Sequence, residues 1–440
     1  KTQLVTIFSN GHRVYGSSLF SFVEAGSSDL YVIPRYKTAF VNPFSEVPAL
    51  DILCSFYNSE GKPLESAPEN ILRKAHRHFK EATGYTMKAL GELEYYVNSE
   101  KEELFPAVDQ KGYHASRPFA KFEELRTEAL RLVAQAGGQV KYGHSEVGNF
   151  SSETEIFEQH EIEFLPVEVE DAVDQMVVAK WILRMLARER GIEISFAPKI
   201  TVGKAGSGLH IHMLLEKDGK NVMTSGAELS DVAKKMIAGI LDVSDALTAF
   251  GNTIPTSYLR LVPHQEAPTN ICWGDRNRSA LVRVPLGWNM KHNMVLDANP
   301  QECEEEDLGN DKQTVEFRAP DGSADLYHLV AGLVVAAEHG LEMKDALKKA
   351  EELYVDVNIF DEEHKDQLDK LEKLPASCWE SAEKLEAKRD VFEKNGIFPK
   401  GTLNSFVRTL KSYDDKNLSE ELYGKKEEIR KLVIKYIHTQ

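Results

Sequence analysis

The sequence predicts an α+β fold, and three observations carry that expectation. Short β-rich pieces gather near the N-terminus, amphipathic helical stretches alternate with strands in the middle, and helical patterns dominate after residue 323. Residues 4–8 (LVTIF) and 28–43 (SDLYVIPRYKTAFVNP) have the β-branched and aromatic content of strands, with turns expected at Asn10-Gly11 and Gly16. Residues 43–48, bounded by prolines, mark a domain junction, and 49–57 read as a buried strand. Ser66 and Pro68 signal a helix start, Ile71, Leu72, Ala75 and Phe79 form its apolar stripe, and Gly84 ends it. Residues 87–97 form a further strand, and 98–120 a long irregular stretch. Phe122, Leu125, Ala129, Leu132, Val133 and Ala136 repeat at helical spacing until Gly137-Gly138, and 173–190 form another helix closed by Gly191.

At 440 residues, with 42% hydrophobic and 28% charged residues, the chain has the make-up of a large globular enzyme, not of a disordered or fibrous chain. A formal charge of −17 argues against nucleic acid or an anionic membrane as a partner, since a polyanion is repelled on average. The longest apolar run, 329–337, is too short to span a bilayer. Four cysteines without a CxxC pair point to reduced thiols and a cytoplasmic location. The chain opens at Lys1 with no leader pattern, so a trimmed N-terminus is expected.

Four constellations could carry chemistry. In Gly91-Glu92-Leu93-Glu94-Tyr95-Tyr96, strand periodicity puts Glu92 and Glu94 on one face, roughly 6–7 Å apart, where they repel unless a cation or proton intervenes. In His144-Ser145-Glu146 and 155–163, alternation puts Glu155, Gln159, Glu161 and Glu163 on one face, which a solvated strand would also do. Gly203-Lys204-Ala205-Gly206-Ser207-Gly208 is a glycine-rich turn that lets backbone approach a ligand, and it runs into His210-Ile211-His212, two imidazoles on one face. The fourth group, Arg260, Glu266, Arg278, Arg283, Glu316 and Arg318, sets arginines among glycines, prolines and apolar residues, as phosphate or carboxylate clamps require.

Taken in order, these segments resemble the glutamine synthetase family. The agreement runs from Gly16-Ser17-Ser18-Leu19 to Asp321 and is most specific in GELEYY (91–96), GSGLHIH (206–212), RLVPHQEAP (260–268), NRSALVRVP (277–285) and VEFRAPD (315–321). The resemblance implies a partial N-terminal β-grasp domain at 1–47, with its early strands before Lys1. A large glutamine synthetase/guanido kinase-like catalytic domain follows at 48–440, a curved antiparallel sheet with helices and a helical tail. It also implies that ATP phosphorylates the γ-carboxylate of L-glutamate, ammonia attacks the acyl phosphate, and L-glutamine, ADP and phosphate are released.

Two or more Mg²⁺ or Mn²⁺ ions are implied, one held by Glu94, Glu146 and Glu161, the other by Glu92, His210 and Glu316; hard cations of this kind prefer oxygen donors. By the same resemblance Arg278 neutralises the phosphoryl group in flight, and Arg283 and His212 lie by the nucleotide phosphates. Arg260 and Arg318 clamp glutamate and the acyl phosphate, beside Glu94, Gly206 and His210. Glu266 shields the intermediate from water and helps take up a proton from ammonium. A homo-oligomeric ring is implied, two stacked hexamers with active sites between subunits.

The chain departs from the family pattern at several positions. Tyr15 stands where the family has the aspartate that a neighbouring subunit lends to ammonium, and a tyrosine carries no charge at neutral pH. Ala205 replaces an asparagine, Leu214 a serine and Lys141 an acidic residue, and the spacing from Glu146 to Glu161 is longer than usual, which leaves Glu155 or Glu163 as alternatives to Glu161. Tyr15 and Ala205 favour, as an alternative, a ligase that joins glutamate to an organic amine such as a polyamine. A catalytically impaired glutamate or nucleotide sensor is the other alternative.

Overall fold

The computed structural model describes residues 9–16, 28–226, 228–262, 267–287, 294–301, 312–357 and 370–438, so the strand expected at 4–8 lies outside the described residues. β1 (His12–Tyr15) pairs antiparallel with β2 (Asp29–Pro34), and β2 with β3 (Cys54–Tyr57), in a three-stranded sheet. The segment 49–57 is therefore not one buried strand. Leu50–Asp51 pairs separately with Phe40–Val41, and Leu50 is 54% exposed. The small sheet also runs past residue 47, since β3 is its third strand.

The helix expected to follow is α1 (Pro68–Thr83), with proline at its start and Gly84 in the left-handed conformation at its end. Its stripe, Ile71, Leu72, Ala75 and Phe79, is buried. β4 (Thr86–Glu100) is the centre of the large sheet, followed by α2 (Glu123–Gln135), β5 (Val140–Ser151), β6 (Glu155–Phe164) and α3 (Val169–Arg190), which begins a turn earlier than the pattern suggested. Then come β7 (Leu209–Lys217), α4 (Asp231–Gly251), β8 (Trp273–Asp275), β9 (Val282–Val284), β10 (Val315–Phe317) and α5 (Leu326–Glu342).

Among the described residues the large sheet has ten strands, with the path β8-β9-β10-β7-β4-β6-β5 and short strands pairing beside it. Its pairs are antiparallel except β8 with β9, so it is mixed rather than purely antiparallel. Leu93 and Tyr95 of β4, Ile162 and Phe164 of β6 and Ile211 of β7 turn one sheet face into the core, under α1 and α3. The apolar run at 329–337 is the middle of α5, buried against α4. Their backbones nearly touch: a Cβ on Gly340 would lie 2.1 Å from the Lys235 carbonyl oxygen, and one on Gly239 would lie 2.2 Å from that of Ala336. Among the described residues no helix is long and apolar enough to cross a membrane.

Arg35, between β2 and Phe40, ties the small sheet to these helices. Its guanidinium meets the Asp174 carboxylate at 2.6 Å and donates to the Tyr327 hydroxyl at 3.1 Å, while that hydroxyl donates to Asp174 at 2.6 Å. Phe40 and Phe44 add edge and tilted contacts to Trp181, with ring centroids 5.8 and 5.4 Å away.

Candidate active site

Strand periodicity sends every second side chain of β4, β5, β6, β7, β9 and β10 to the sheet face opposite the core, and the register arranges these in three rows. The first row crosses Arg283, Glu316, His212 and Leu90; the second His210, Glu92, Glu163 and Tyr142; the third Glu94, Glu161 and His144. All of them line one cavity of about 650 Å³. Two i,i+2 pairs visible in the sequence, Glu92/Glu94 and His210/His212, thus become the middle of a grid that four other strands complete.

Within the grid, His210 Nδ1 lies 3.0 Å from Glu92 and 3.4 Å from Glu316, and His212 Nε2 lies 2.8 Å from Glu92. His144 Nε2 is 3.2 Å from Glu161 and 3.9 Å from Glu163, and Lys141 meets Glu163 at 2.6 Å. Glu316 is flanked by Arg283 at 2.8 Å and Arg318 at 3.0 Å. Burial opposes the charge on Glu92, but the charge of His212 and hydrogen bonds from His210 and His212 hold it well below the usual carboxylate range. Glu161 goes the other way: burial, then the negative charges of Glu92, Glu94 and Glu146, outweigh its bond to His144 and push it well up. Burial works against a charged His144, yet its bonds to Glu161 and Glu163 raise it to about 10.

Two donor sets fit a hard divalent cation. One ligand atom each from Glu92, His210 and Glu316 lie within 4.8 Å of one another, as do those of His144, Glu146 and Glu161. The raised carboxyl of Glu161 supports the fit, because a charge surplus of this sort is relieved by either a proton or a cation. A third set, Glu92, Glu161 and Glu163, shares Glu92 with the first and Glu161 with the second.

Beyond the grid, the glycine-rich turn presses against Arg260. A Cβ on Gly206 would come within 2.9 Å of Arg260 Cγ, and one on Gly208 within 2.6 Å of Arg260 Nη2, so only glycine admits the guanidinium here. Arg260 donates to the carbonyls of Ala319, at 2.8 Å, and Pro320, at 3.2 Å, and Arg318 donates to the Arg278 carbonyl. Gln159 closes the corner by donating to Glu94 at 2.9 Å and to the Gly206 carbonyl at 3.0 Å. The cavity is thus lined both by carboxylates and imidazoles and by Arg260, Arg278 and Arg318, with Arg318 against Glu316.

Residues 65–426, which hold this whole arrangement, match the family profile described as "Glutamine synthetase, catalytic domain". The chain belongs to the glutamine synthetase family. The glutamine synthetase of Pyrococcus furiosus is 32% identical over 418 residues, covering 94% of this chain and 86% of its own. That of Frankia alni is 29% identical over 440 residues, covering 91% and 85%. The chain shares its fold with the Plasmodium falciparum glutamine synthetase (TM-score 0.76, 19% identity, 95% of this chain and 91% of that one). It shares it equally with a GmaS/ADP complex (TM-score 0.75, 19% identity, 95% and 89%). The chain is thereby a glutamine-synthetase-like ligase with an α+β fold, from a family that uses ATP and divalent cations.

The cavity brings together Glu92, Glu94, Glu146, Glu161, Gly206, His210, His212, Arg260, Arg278, Arg283, Glu316 and Arg318, while Glu266 lies outside the described residues. Glu94 differs in detail from its neighbours: its carboxylate accepts from the Gly208 N–H at 2.8 Å and from Gln159, and His144 stands in the donor set with Glu146 and Glu161. Glu155, the alternative to Glu161, sits near the far end of the β5-β6 hairpin beside Asn98, whereas Glu163 lines the cavity. From sequence, Glu163 stood only as an alternative to Glu161 and His144 only as a neighbour of Glu146, without a role of its own; Tyr113 and Lys199 were not singled out. His144 shares a strand face with Glu146, so the alternation that placed Glu163 beside Glu161 could have found it too. Tyr113 comes from the irregular stretch and carries no periodic signal.

Proposed function

We propose that this chain joins ammonia to the γ-carboxylate of L-glutamate at the expense of ATP. A carboxylate oxygen of glutamate attacks the γ-phosphorus and ADP leaves. Ammonia then attacks the acyl carbon, phosphate leaves, and a proton is given up to form L-glutamine. The observation that carries this reading is the three-row grid of carboxylates and imidazoles that shares one cavity with Arg260, Arg278 and Arg318. In-line phosphoryl transfer needs that pairing, with anions held from both sides in a water-poor space.

On this reading Glu92, His210 and Glu316 hold one divalent cation, and Glu146 and Glu161 hold another with Glu94 or His144. When bound, these ions offset the charge that builds on the phosphoryl oxygens. Arg278 faces the group in flight, Arg283 and His212 the nucleotide phosphates. Arg260, Arg318 and the Gly206 backbone hold glutamate, and Glu266 shields the acyl phosphate. The domain division at 47/48, a cytoplasmic location and a ring, two stacked hexamers, belong to the same proposal. In such a ring β1, where Tyr15 is 71% exposed and outside the cavity lining, would face the cavity of a neighbouring subunit.

The test is ADP release by the assembled protein, which should require L-glutamate, ammonium and Mg²⁺ together. Release indifferent to ammonium would sink the reading. A second reading, ligation of glutamate to an organic amine, is favoured by Tyr15 and by Ala205. Ala205 offers a ligand no polar side chain, and both its backbone groups are engaged, by Gln110 at 2.7 Å and Tyr96 at 2.9 Å. A panel of amines separates the two, because turnover with a polyamine and none with ammonium selects the second.

A further inference from the structure

The hairpin β5-β6 is irregular, and its irregularity has a structural use. After a first register shift between Val140 and Tyr142, pairing is regular to Ser145↔His160, breaks again, and resumes at Asn149↔Glu158, Phe150↔Phe157 and Ser151↔Ile156. In the break, the irregular stretch lies along β5: the Gln110 N–H donates to the Asn149 carbonyl at 2.8 Å, Gly112 to Val147 at 3.2 Å and His114 to Ser145 at 2.9 Å. Gln110 holds a left-handed backbone, φ 55°, which a non-glycine residue adopts only when its surroundings require it. Its side chain then spans a gap. Nε2 donates to the same Asn149 carbonyl at 3.0 Å, and Oε1 accepts the Ala205 N–H at 2.7 Å. Asp109 beside it pairs with Lys204. Lys199 Nζ and the Tyr96 hydroxyl hold the next two carbonyls, those of Lys204 at 2.6 Å and Ala205 at 2.9 Å.

We propose that Gln110 is a positioning residue for the amino-acid substrate, fixing the turn at 203–206 whose Gly206 lies against Arg260. The hairpin supplies its fixed point, the Asn149 carbonyl. This inference rests on the ligase reading above, in which that turn and Arg260 hold L-glutamate. The amide is matched to both partners, one carbonyl and one N–H, and no other side-chain type of that length offers a donor and an acceptor at once. Loss of it frees the turn to move away from Arg260 while the metal grid and nucleotide side, which Gln110 does not touch, stay in place.

The test compares wild type, Gln110→Ala and Gln110→Glu in the assembled protein. L-glutamate is titrated calorimetrically in the presence of Mg²⁺ and a non-hydrolysable ATP analogue, and the analogue is titrated separately. Gln110→Ala should bind L-glutamate roughly five- to tenfold more weakly, the scale of one lost hydrogen bond, with analogue affinity within about twofold. Gln110→Glu keeps the acceptor for Ala205 and should recover part of the loss. In turnover, KM for L-glutamate should rise with kcat nearly unchanged. Parallel losses for glutamate and analogue would make Gln110 merely structural and overturn the inference. Equal L-glutamate affinity in wild type and Gln110→Ala would overturn it while leaving the ligase reading intact. A wild-type protein that binds no L-glutamate would overturn both.

Discussion

Glu161 is the residue on which the grid's charge surplus falls, since burial and three neighbouring carboxylates act on it together. Its folded-state value lies above the ordinary one, so the folded chain holds that proton more tightly than the unfolded chain. The stability linked to the proton is present at low pH and lost as pH rises through the raised value. His144 has the same sign: its contribution is complete below the ordinary 6.5 and fades as pH climbs through about 10. A divalent cation should therefore stabilise the chain more at pH about 7.5 than at about 5.5, because a proton competes with it at the lower pH. Thermal unfolding with and without Mn²⁺ at both pH values reads this directly. Glu161→Gln should raise the Tm of the metal-free chain by roughly 2 °C and remove most of the Mn²⁺ response. A fall in Tm would mean the carboxylate is already compensated. His144→Ala should weaken Mn²⁺ binding by about ten- to a hundredfold in calorimetry, and an unchanged affinity would take His144 out of the donor set.

At the scale of elements, what was legible in the sequence was what depends on local spacing. The stripe of α1, the glycine stops after α1 and α3, and the face shared by Glu92 and Glu94 all follow from periods of 3.6 or 2. The split of this segment into Leu50–Asp51 and Cys54–Tyr57, which pair in two different sheets, was not legible, because a short apolar run does not record which partner each part will join. The close approach of α4 and α5 belongs to this scale too. Gly340 faces backbone, not a flexible side chain, so Gly340→Ala must force the helices apart or shift a turn. It should cost about 1–3 kcal/mol net in denaturant unfolding, where helix propensity alone would gain about 1 kcal/mol. A net gain in stability would show that the two helices have room to separate.

For the molecule as a whole, the question is what holds the small sheet on the large one. Arg35 carries much of that load, with Asp174 on α3 and Tyr327 on α5 both turned to its guanidinium. Arg35→Ala leaves a largely buried carboxylate without its cation and should cost about 3 kcal/mol. If the small sheet caps a neighbouring subunit's cavity, the same variant should also shift the assembly toward smaller species in sedimentation. Stability lost without any change in assembly would confine Arg35 to the fold of one chain.

The sequence by itself determined the fold class, the order of the elements and, through the family's motifs, most of the side chains that reach the cavity. Those facts are local or nearly so: a strand's alternation and a glycine's place at a turn survive without knowledge of any partner. Only the tertiary structure decided which strand lies beside which. That choice put Glu163 opposite Glu92 and His144 opposite Glu161, brought His144 to Glu146 and Glu161 while engaging Glu94 with Gly208, and set Gln110 between Asn149 and Ala205. Register joins residues far apart along the chain, and a slip of one position in a strand would turn that strand's grid residues into the core. The energy of burial fixes that choice over the whole molecule, so no short stretch of sequence records it.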